Sequence, residues 1–213
     1  MNPLLIRRRG MMEARQGGLP YDAEIEYLES DGTQYINTGI YADNETSVSM
    51  RARQTDVFND NCFIGMDEGT SDTKSFCVEY FYTNTSRFGL LLNFDSVTRL
   101  YQSGVVGNTN WHVISASKDN LIVDGNVYNT QFSPPSAFTA IYPLFMYAFG
   151  RNGSPFIFSK VSMSYCKIFS NGVLVRDFIP VRVGTVGYMY DRVSGQLFGN
   201  MGTGDFVLGP DVI

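Results

Sequence analysis

From residue 23 onward, apolar and polar positions alternate in short runs separated by turn residues. A period of two sends successive side chains to opposite faces of a strand. Val48, Met50 and Ala52 alternate with Ser49, Arg51 and Arg53. Phe76, Val78, Tyr80 and Tyr82 share one face, and Phe88, Leu90, Leu92 and Phe94 share a face of the next run. Short strands are predicted at 24–28 and 33–36, around the Ser30-Asp31-Gly32 turn, and long apolar strands at 141–149 and 156–170. Asn171-Gly172 is the strongest hairpin signal, because both residues tolerate the positive φ of a two-residue turn. Residues 173–178 return from it, 188–190 and 196–198 flank a turn at 191–195, and 205–208 close the series. No stretch has a convincing helical period. The pattern predicts an all-β protein built as two packed antiparallel sheets, a β-sandwich.

Residues 111–125 show the pattern in miniature. Trp111, Val113 and Ser115 occupy one face of a strand, and His112, Ile114 and Ala116 the other. A Lys118-Asp119-Asn120 turn leads to Leu121-Ile122-Val123. Asp124-Gly125 then forms a tight turn into a third strand.

The first 22 residues differ. Arg7, Arg8, Arg9 and Arg15 stand against Glu13 and Asp22, a net of +2 in a chain whose total is −5. Gly10, Gly17, Gly18 and Pro20 break any long helix, and no period is present that could form a core. Residues 1–22 are therefore read as an extended docking segment, with Leu4, Leu5, Ile6, Arg7, Arg8 and Arg9 as its anchor, and residues 23–213 as the sandwich.

Composition agrees with this division. A chain of 213 residues with 44% hydrophobic content can bury one sizeable core, and 13 Tyr, 16 Phe and 21 Gly suit strands joined by many turns. The acidic balance and the lack of a basic aromatic stripe in the body argue against nucleic acid. No apolar run approaches the about 20 residues of a membrane span. Leu4-Leu5-Ile6 is too short for a secretory signal, and its arginines follow rather than precede it. Cys62, Cys77 and Cys166 sit in apolar runs and are expected to be buried free thiols. Cys62 and Cys77 are the pair that could bridge. No Cys/His cluster has zinc spacing.

The Trp-His strand followed by a Val-Asp-Gly hairpin resembles the laminin G/concanavalin A-like lectin family. Longer segments narrow the resemblance. The body opens with Glu26-Tyr27-Leu28-Glu29-Ser30-Asp31-Gly32-Thr33-Gln34-Tyr35-Ile36-Asn37-Thr38-Gly39. Lys167-Ile168-Phe169-Ser170-Asn171-Gly172-Val173-Leu174-Val175-Arg176-Asp177-Phe178 comes late, and Gly187-Tyr188-Met189-Tyr190-Asp191-Arg192-Val193-Ser194-Gly195-Gln196-Leu197-Phe198 follows. Together they resemble LamG-like proteins of gut bacteria and their Bacteroides phages, over nearly all of residues 24–210. The resemblance implies a jelly-roll sandwich that binds rather than catalyses, with Trp111 and His112 as framework residues. It also implies a virion fibre or decoration protein of head or tail, assembled in the host cytoplasm and exposed on the particle. There the N-terminal segment would dock on other virion proteins, the assembly would be a homo-oligomer (a trimer), and the sandwich would face host glycans.

Candidate chemistry is sparse. Glycoside hydrolysis needs two carboxylates about 5–10 Å apart, and the Glu-x-Asp-x-x-Glu string of hydrolases with this fold is absent. No nucleophile elbow accompanies His112. No catalytic residue and no cofactor is therefore assigned. Asp67, Glu68 and Asp72 form an acidic loop that could hold calcium, although its spacing matches no EF-hand. Tyr80 and Tyr82 are candidate sugar platforms, with Tyr101, Tyr142 and Tyr147 further aromatics of the same kind, and Arg151 and Asn152 could add polar contacts from a loop. A bacterial surface or secreted lectin is the alternative, and a glycan-active enzyme or a purely structural sandwich stand behind it.

Overall fold

The structure, a computed structural model, describes residues 18–57, 60–69, 74–81, 87–93, 98–129 and 138–213. These residues form strands, turns and irregular connections, with no helix among them. The first strands are β1 (Ala23–Glu24), β2 (Leu28–Glu29), β3 (Ile36–Asp43), β4 (Ser47–Gln54), β5 (Asn61–Asp67) and β6 (Ser75–Phe81). Then come β7 (Arg87–Asn93), β8 (Thr98–Val106), β9 (His112–Ala116), β10 (Asn120–Val123), β11 (Asn126–Asn129) and β12 (Thr139–Met146). The last are β13 (Ala148–Arg151), β14 (Ser154–Phe158), β15 (Val161–Ser170), β16 (Val173–Val183), β17 (Val186–Asp191), β18 (Gln196–Phe198) and β19 (Val207–Leu208).

They build a two-sheet sandwich. An 11-stranded sheet runs β11-β10-β9-β4-β15-β16-β17-β18, with β1, β2 and β19 attached beside it. An 8-stranded sheet runs β14-β13-β5-β6-β7-β8, with β12 joining β5 to β3. The alternation in β4 is visible as strict burial of Val48, Met50, Ala52 and Gln54 between half-exposed neighbours. Met50, Ile114, Met163, Cys166 and Phe178 meet Ile64, Met66, Phe76 and Val78 between the sheets. Burying a side chain of the size of Phe178 contributes about 1.5–3 kcal/mol.

The predicted hairpins form where the turn residues require them. Asp124 and Gly125 have φ of 50° and 80°, Asn171 and Gly172 of 50° and 74°. Two predicted long strands are broken instead. The run at 141–149 is interrupted by Tyr147, whose φ is 65°. This conformation costs on the order of 1–3 kcal/mol for a non-glycine residue. Three hydrogen bonds hold it: Tyr147 N–H donates to Phe63 O at 3.0 Å, its carbonyl accepts from Ser159 N–H at 3.0 Å, and its hydroxyl donates to the Leu28 carbonyl at 3.3 Å. The break lets β12 run antiparallel and β13 parallel to β5. The run at 156–170 is broken at Ser159 and Lys160. There Ser159 Oγ accepts from Cys62 N–H and Lys160 N–H donates to Asn61 Oδ1, both at 2.8 Å.

The anchor residues Leu4, Leu5, Ile6, Arg7, Arg8 and Arg9 lie outside the described residues. Attachment to the sandwich has begun by Tyr21, which packs beside Ile179 and Val181, and Asp22, whose N–H donates to Arg182 O at 2.8 Å. All three cysteines are buried free thiols, and the sulfurs of Cys62 and Cys77 are 3.0 Å apart on adjacent strands.

Candidate functional site

The end of β5 and the β13–β14 hairpin meet at one rim of the 8-stranded sheet. Asn152 and Gly153, with φ of 51° and 74°, form the two-residue hairpin turn. Arg151 lies beside Asp67 in the parallel register of β13 and β5. Asn152 N–H donates to Asp67 O at 2.9 Å, and an Arg151 guanidinium nitrogen donates to Asp67 Oδ2 at 3.4 Å. The other carboxylate oxygen accepts from Gly69 N–H at 2.5 Å. Gly69 (φ 72°) has no room for a side chain, since a Cβ would come within 2.4 Å of the Asn152 amide.

Arg151 then turns across the ring of Phe156, with its guanidinium carbon 4.1 Å from the ring centroid. Phe156 is 54% exposed, and Arg151 Nε is buried without a hydrogen-bond partner. Tyr142 packs against Gly153, where a Cβ would meet its ring at 2.7 Å. The rim thus combines an exposed aromatic ring, a guanidinium, an amide and a carboxylate. Rings of this kind cover the apolar faces of sugars, and convergent polar groups bind hydroxyls and fix orientation.

Of the residues predicted from sequence, Asp67, Glu68, Arg151 and Asn152 come together here. Asp67 is taken by Arg151 and Gly69, and Glu68 Oε1 accepts from Ile141 N–H at 3.1 Å. Both acids thus accept from protein donors. No group of three or more His, Cys, Asp or Glu among the described residues is placed to hold a metal. Asp72 and Tyr82 lie outside the described residues, as does the Tyr101 side chain.

Tyr80 corrects the platform expectation. It is 2% exposed, packs on Phe88 at 5.7 Å between ring centroids, and turns its ring into the core. Its neighbour Gly107 is required there, because a Cβ would penetrate the ring. Tyr147 is likewise buried.

His112 is a framework residue. It is 6% exposed, with Nδ1 at 2.6 Å from Asp124 Oδ2, Nε2 at 3.1 Å from Asn108 Oδ1, and its ring 4.8 Å from Phe88. Trp111 is different. It is half-buried just before β9, under the guanidinium carbons of Arg51 and Arg53 at 4.5 and 4.9 Å, with Tyr27 at 5.8 Å. It therefore belongs to an arginine–aromatic cluster on the outer face of the 11-stranded sheet rather than to the core.

Sequence reasoning missed Glu79. Only 9% exposed, it is pushed up to about 7 by burial, with the Cys77 thiol hydrogen bond opposing and the charge of Asp60 adding to the shift. A raised carboxyl is a candidate acid–base group. Here it sits beside the closed-off thiols of Cys62 and Cys77, which gives it a structural setting.

No protein-family model matches the chain, and no curated protein does. Solved structures do match it. The CBM40 of Ruminococcus gnavus IT-sialidase bound to α2,3-sialyllactose is 13% identical, with 72% of this chain and 92% of that one covered and a TM-score of 0.51. A conjectured carbohydrate binding protein from Bacteroides ovatus is 10% identical, covering 88% of this chain and 60% of that one, at 0.58. Domains LG4-5 of the mouse laminin α1 chain are 13% identical, covering 90% and 47%, at 0.51. At these identities the likeness is one of fold. The class it defines is the jelly-roll sandwich that carbohydrate-binding modules and laminin G domains have in common.

Proposed function

We propose that this protein is a non-enzymatic, lectin-like sandwich that binds carbohydrate at the Arg151–Phe156 rim. The observation behind this reading is the exposed Phe156 ring with a guanidinium stacked 4.1 Å above it, beside the amide of Asn152 and the carboxylate of Asp67. The sialyllactose complex of the CBM40 neighbour supports saccharide binding by a related fold, while leaving the position of the site open. A glycan array followed by calorimetry tests the reading. At least one glycan binds, and Phe156→Ala weakens it by about tenfold or more, in line with the about 1–3 kcal/mol of one stacked ring. Unchanged affinity in Phe156→Ala and Arg151→Ala would remove the rim as the site.

The setting we propose is a virion: a fibre or decoration protein, trimeric, docked through its N-terminal segment and turning the sandwich towards host-surface glycans. The sequence resemblance supports it. The test compares the full chain with a form lacking residues 1–17, since Tyr21 and Asp22 already belong to the sandwich. Co-sedimentation with particles by the full chain alone is expected. If both forms stay free, a bacterial surface or secreted lectin is the better reading.

A further inference from the structure

The outer face of the 11-stranded sheet carries a trough that the rim does not use. β15 and β16 are paired from Cys166↔Phe178 to their hairpin. Beyond that point they separate. β15 keeps β4 along its length, with a register shift between Met163 and Tyr165, and gains β2 at Ser162 and Met163, while β16 takes β1 at Val181 and Arg182 with β17 on its other side. The separation leaves two contiguous depressions of about 380 and 430 Å³ that share Ser164 and Ile179.

Their linings differ in charge. The larger holds Lys167 and Arg192 with Ser49, Ser164 and Tyr165, and no carboxylate lines it. The smaller holds Arg51 together with Glu24 and Glu26. Most described cations in this acidic chain are ion-paired: Arg53 with Glu29, Arg151 with Asp67, Arg176 with Asp191, Arg182 with Asp211, Arg192 with Asp177. Among the described residues Arg51 and Lys167 have no ion-pair partner, although Asp177 stands opposite Lys167 in the β15–β16 register, and Arg51 lies over the ring of Trp111. The Ser164 hydroxyl makes no hydrogen bond among the described residues. Two cations outside any ion pair among the described residues, a hydroxyl free for a ligand and concave space therefore coincide on one face, with Asp177 and the two glutamates at its edges, in a protein whose net charge is −5.

We infer that this trough is a second binding site, for an anionic saccharide, with the acidic sugar unit between Lys167 and Arg192 and a neutral unit beside Glu24 and Glu26. The lysine and arginine bind the carboxylate or sulfate with charge-assisted hydrogen bonds. Ser49 and Ser164 bind ring hydroxyls, Ile179 lies under an apolar sugar face, and the two glutamates accept from hydroxyls of the uncharged neighbour. An acidic peptide would place further negative charge against Glu24 and Glu26, which disfavours it. The inference depends on reading the fold as a saccharide-binding sandwich, but not on the rim.

The test is calorimetry on the full chain with four probes: an oligogalacturonide, a sulfated galactan oligosaccharide, a neutral galacto-oligosaccharide and oligo-aspartate. One or both anionic saccharides should bind at least about tenfold more tightly than the neutral one, with affinity falling as salt rises. Lys167→Ala and Arg192→Ala should each weaken that binding by about fivefold to tenfold, while Phe156→Ala leaves it unchanged. Thermal melts of both variants verify that the sheet is intact. Wild-type affinity in both lysine and arginine variants overturns the inference, and so does equal binding of the neutral probe or of oligo-aspartate. If the neutral oligosaccharide binds in a Phe156-dependent manner while the anionic ones show no preference, the rim stands and the trough falls. If no saccharide binds here and the glycan array is blank, both fall.

Discussion

The two sheets of this sandwich obey the same alternation, yet their outward faces have opposite characters. On the β9-β4-β15 part of the 11-stranded sheet the residues that leave the core are Ser49, Arg51, Arg53, Ser115 and Lys167, all half-exposed, whereas on β16 Ile179 and Val181 are covered by Tyr21. On the 8-stranded sheet they are Cys62, Cys77, Glu79 and Phe149, each at 9% exposure or less. Alternation therefore decides which side chains leave the core, and packing further out decides whether they reach water. The β9-β4-β15 part of one face is free to meet a ligand, beside the small cluster of Tyr21, Ile179 and Val181. The other forms a second small core, with Cys62, Cys77 and Phe149 joined by Ile157.

The sharpest test of this contrast pairs a residue between the sheets with one on the open face. Phe178→Ala should cost about 3–5 kcal/mol in urea unfolding, because it empties a site closed on every side. Trp111→Ala should cost about 1–2 kcal/mol, since it removes two cation–π contacts and partial burial. Equal losses would return Trp111 to the core and dissolve the contrast.

Glu79 tests the closed face through pH. Its folded value of about 7 lies above the ordinary 4.5. The folded state therefore favours the protonated form. Stability from this group is fully present below about 4.5, declines as pH rises, and is lost above about 7. The difference corresponds to about 3 kcal/mol. Glu79→Gln should raise the unfolding free energy by up to this amount at pH 8 and change little at pH 4. A variant equally stable at both values would place Glu79 in water.

Gly65 should show a smaller effect on the same face. It lies opposite Cys77, and a Cβ there would meet the Cys62 and Cys77 sulfurs at 2.8 and 2.9 Å. Gly65→Ala should cost about 1–3 kcal/mol. Adding Cys62→Ala should restore part of it, as a non-additive double-mutant cycle. Strict additivity would mean that the sulfurs do not press on Gly65.

The strands, their faces and the Asn171-Gly172 and Asp124-Gly125 turns were legible in the sequence because each depends on neighbours a few residues away. The rim was legible as pieces, an acidic loop and an Arg-Asn-Gly turn, but not as one site. The Arg151–Asp67 contact spans 84 residues, and no local pattern encodes it. Tyr147 was illegible for a different reason. An aromatic residue at positive φ has no sequence signature, and partners at Phe63, Leu28 and Ser159 hold it in place. Glu79 follows the same logic: alternation correctly turned it away from Tyr80, and nothing local said that this side would also be closed. The trough arises from two strands separating, which is a property of the sheet rather than of either strand.

The smallest effect carries the opposite sign to Glu79 and comes from the open sheet. Burial would raise the carboxyl of Asp124, but the hydrogen bonds from His112 and from Val113 N–H outweigh it and hold the group below the usual aspartate value. Its contribution is present above the ordinary aspartate range and is lost as pH falls through the lowered folded value. Asp124 is 43% exposed, so solvent screening limits the contribution to about 1 kcal/mol or less. Asp124→Asn keeps a residue that tolerates φ near 50° and can still accept from Val113 N–H, and it removes the charge together with the acceptor that faces His112 Nδ1. It should lower stability slightly at pH 7 and approach the parent as the pH falls through the lowered folded value of Asp124. Together with Glu79→Gln, this gives one carboxyl whose charge the fold excludes and one whose charge it holds. A matching sign in the two pH profiles would show that both carboxyls experience the same surroundings, contrary to the difference between the faces.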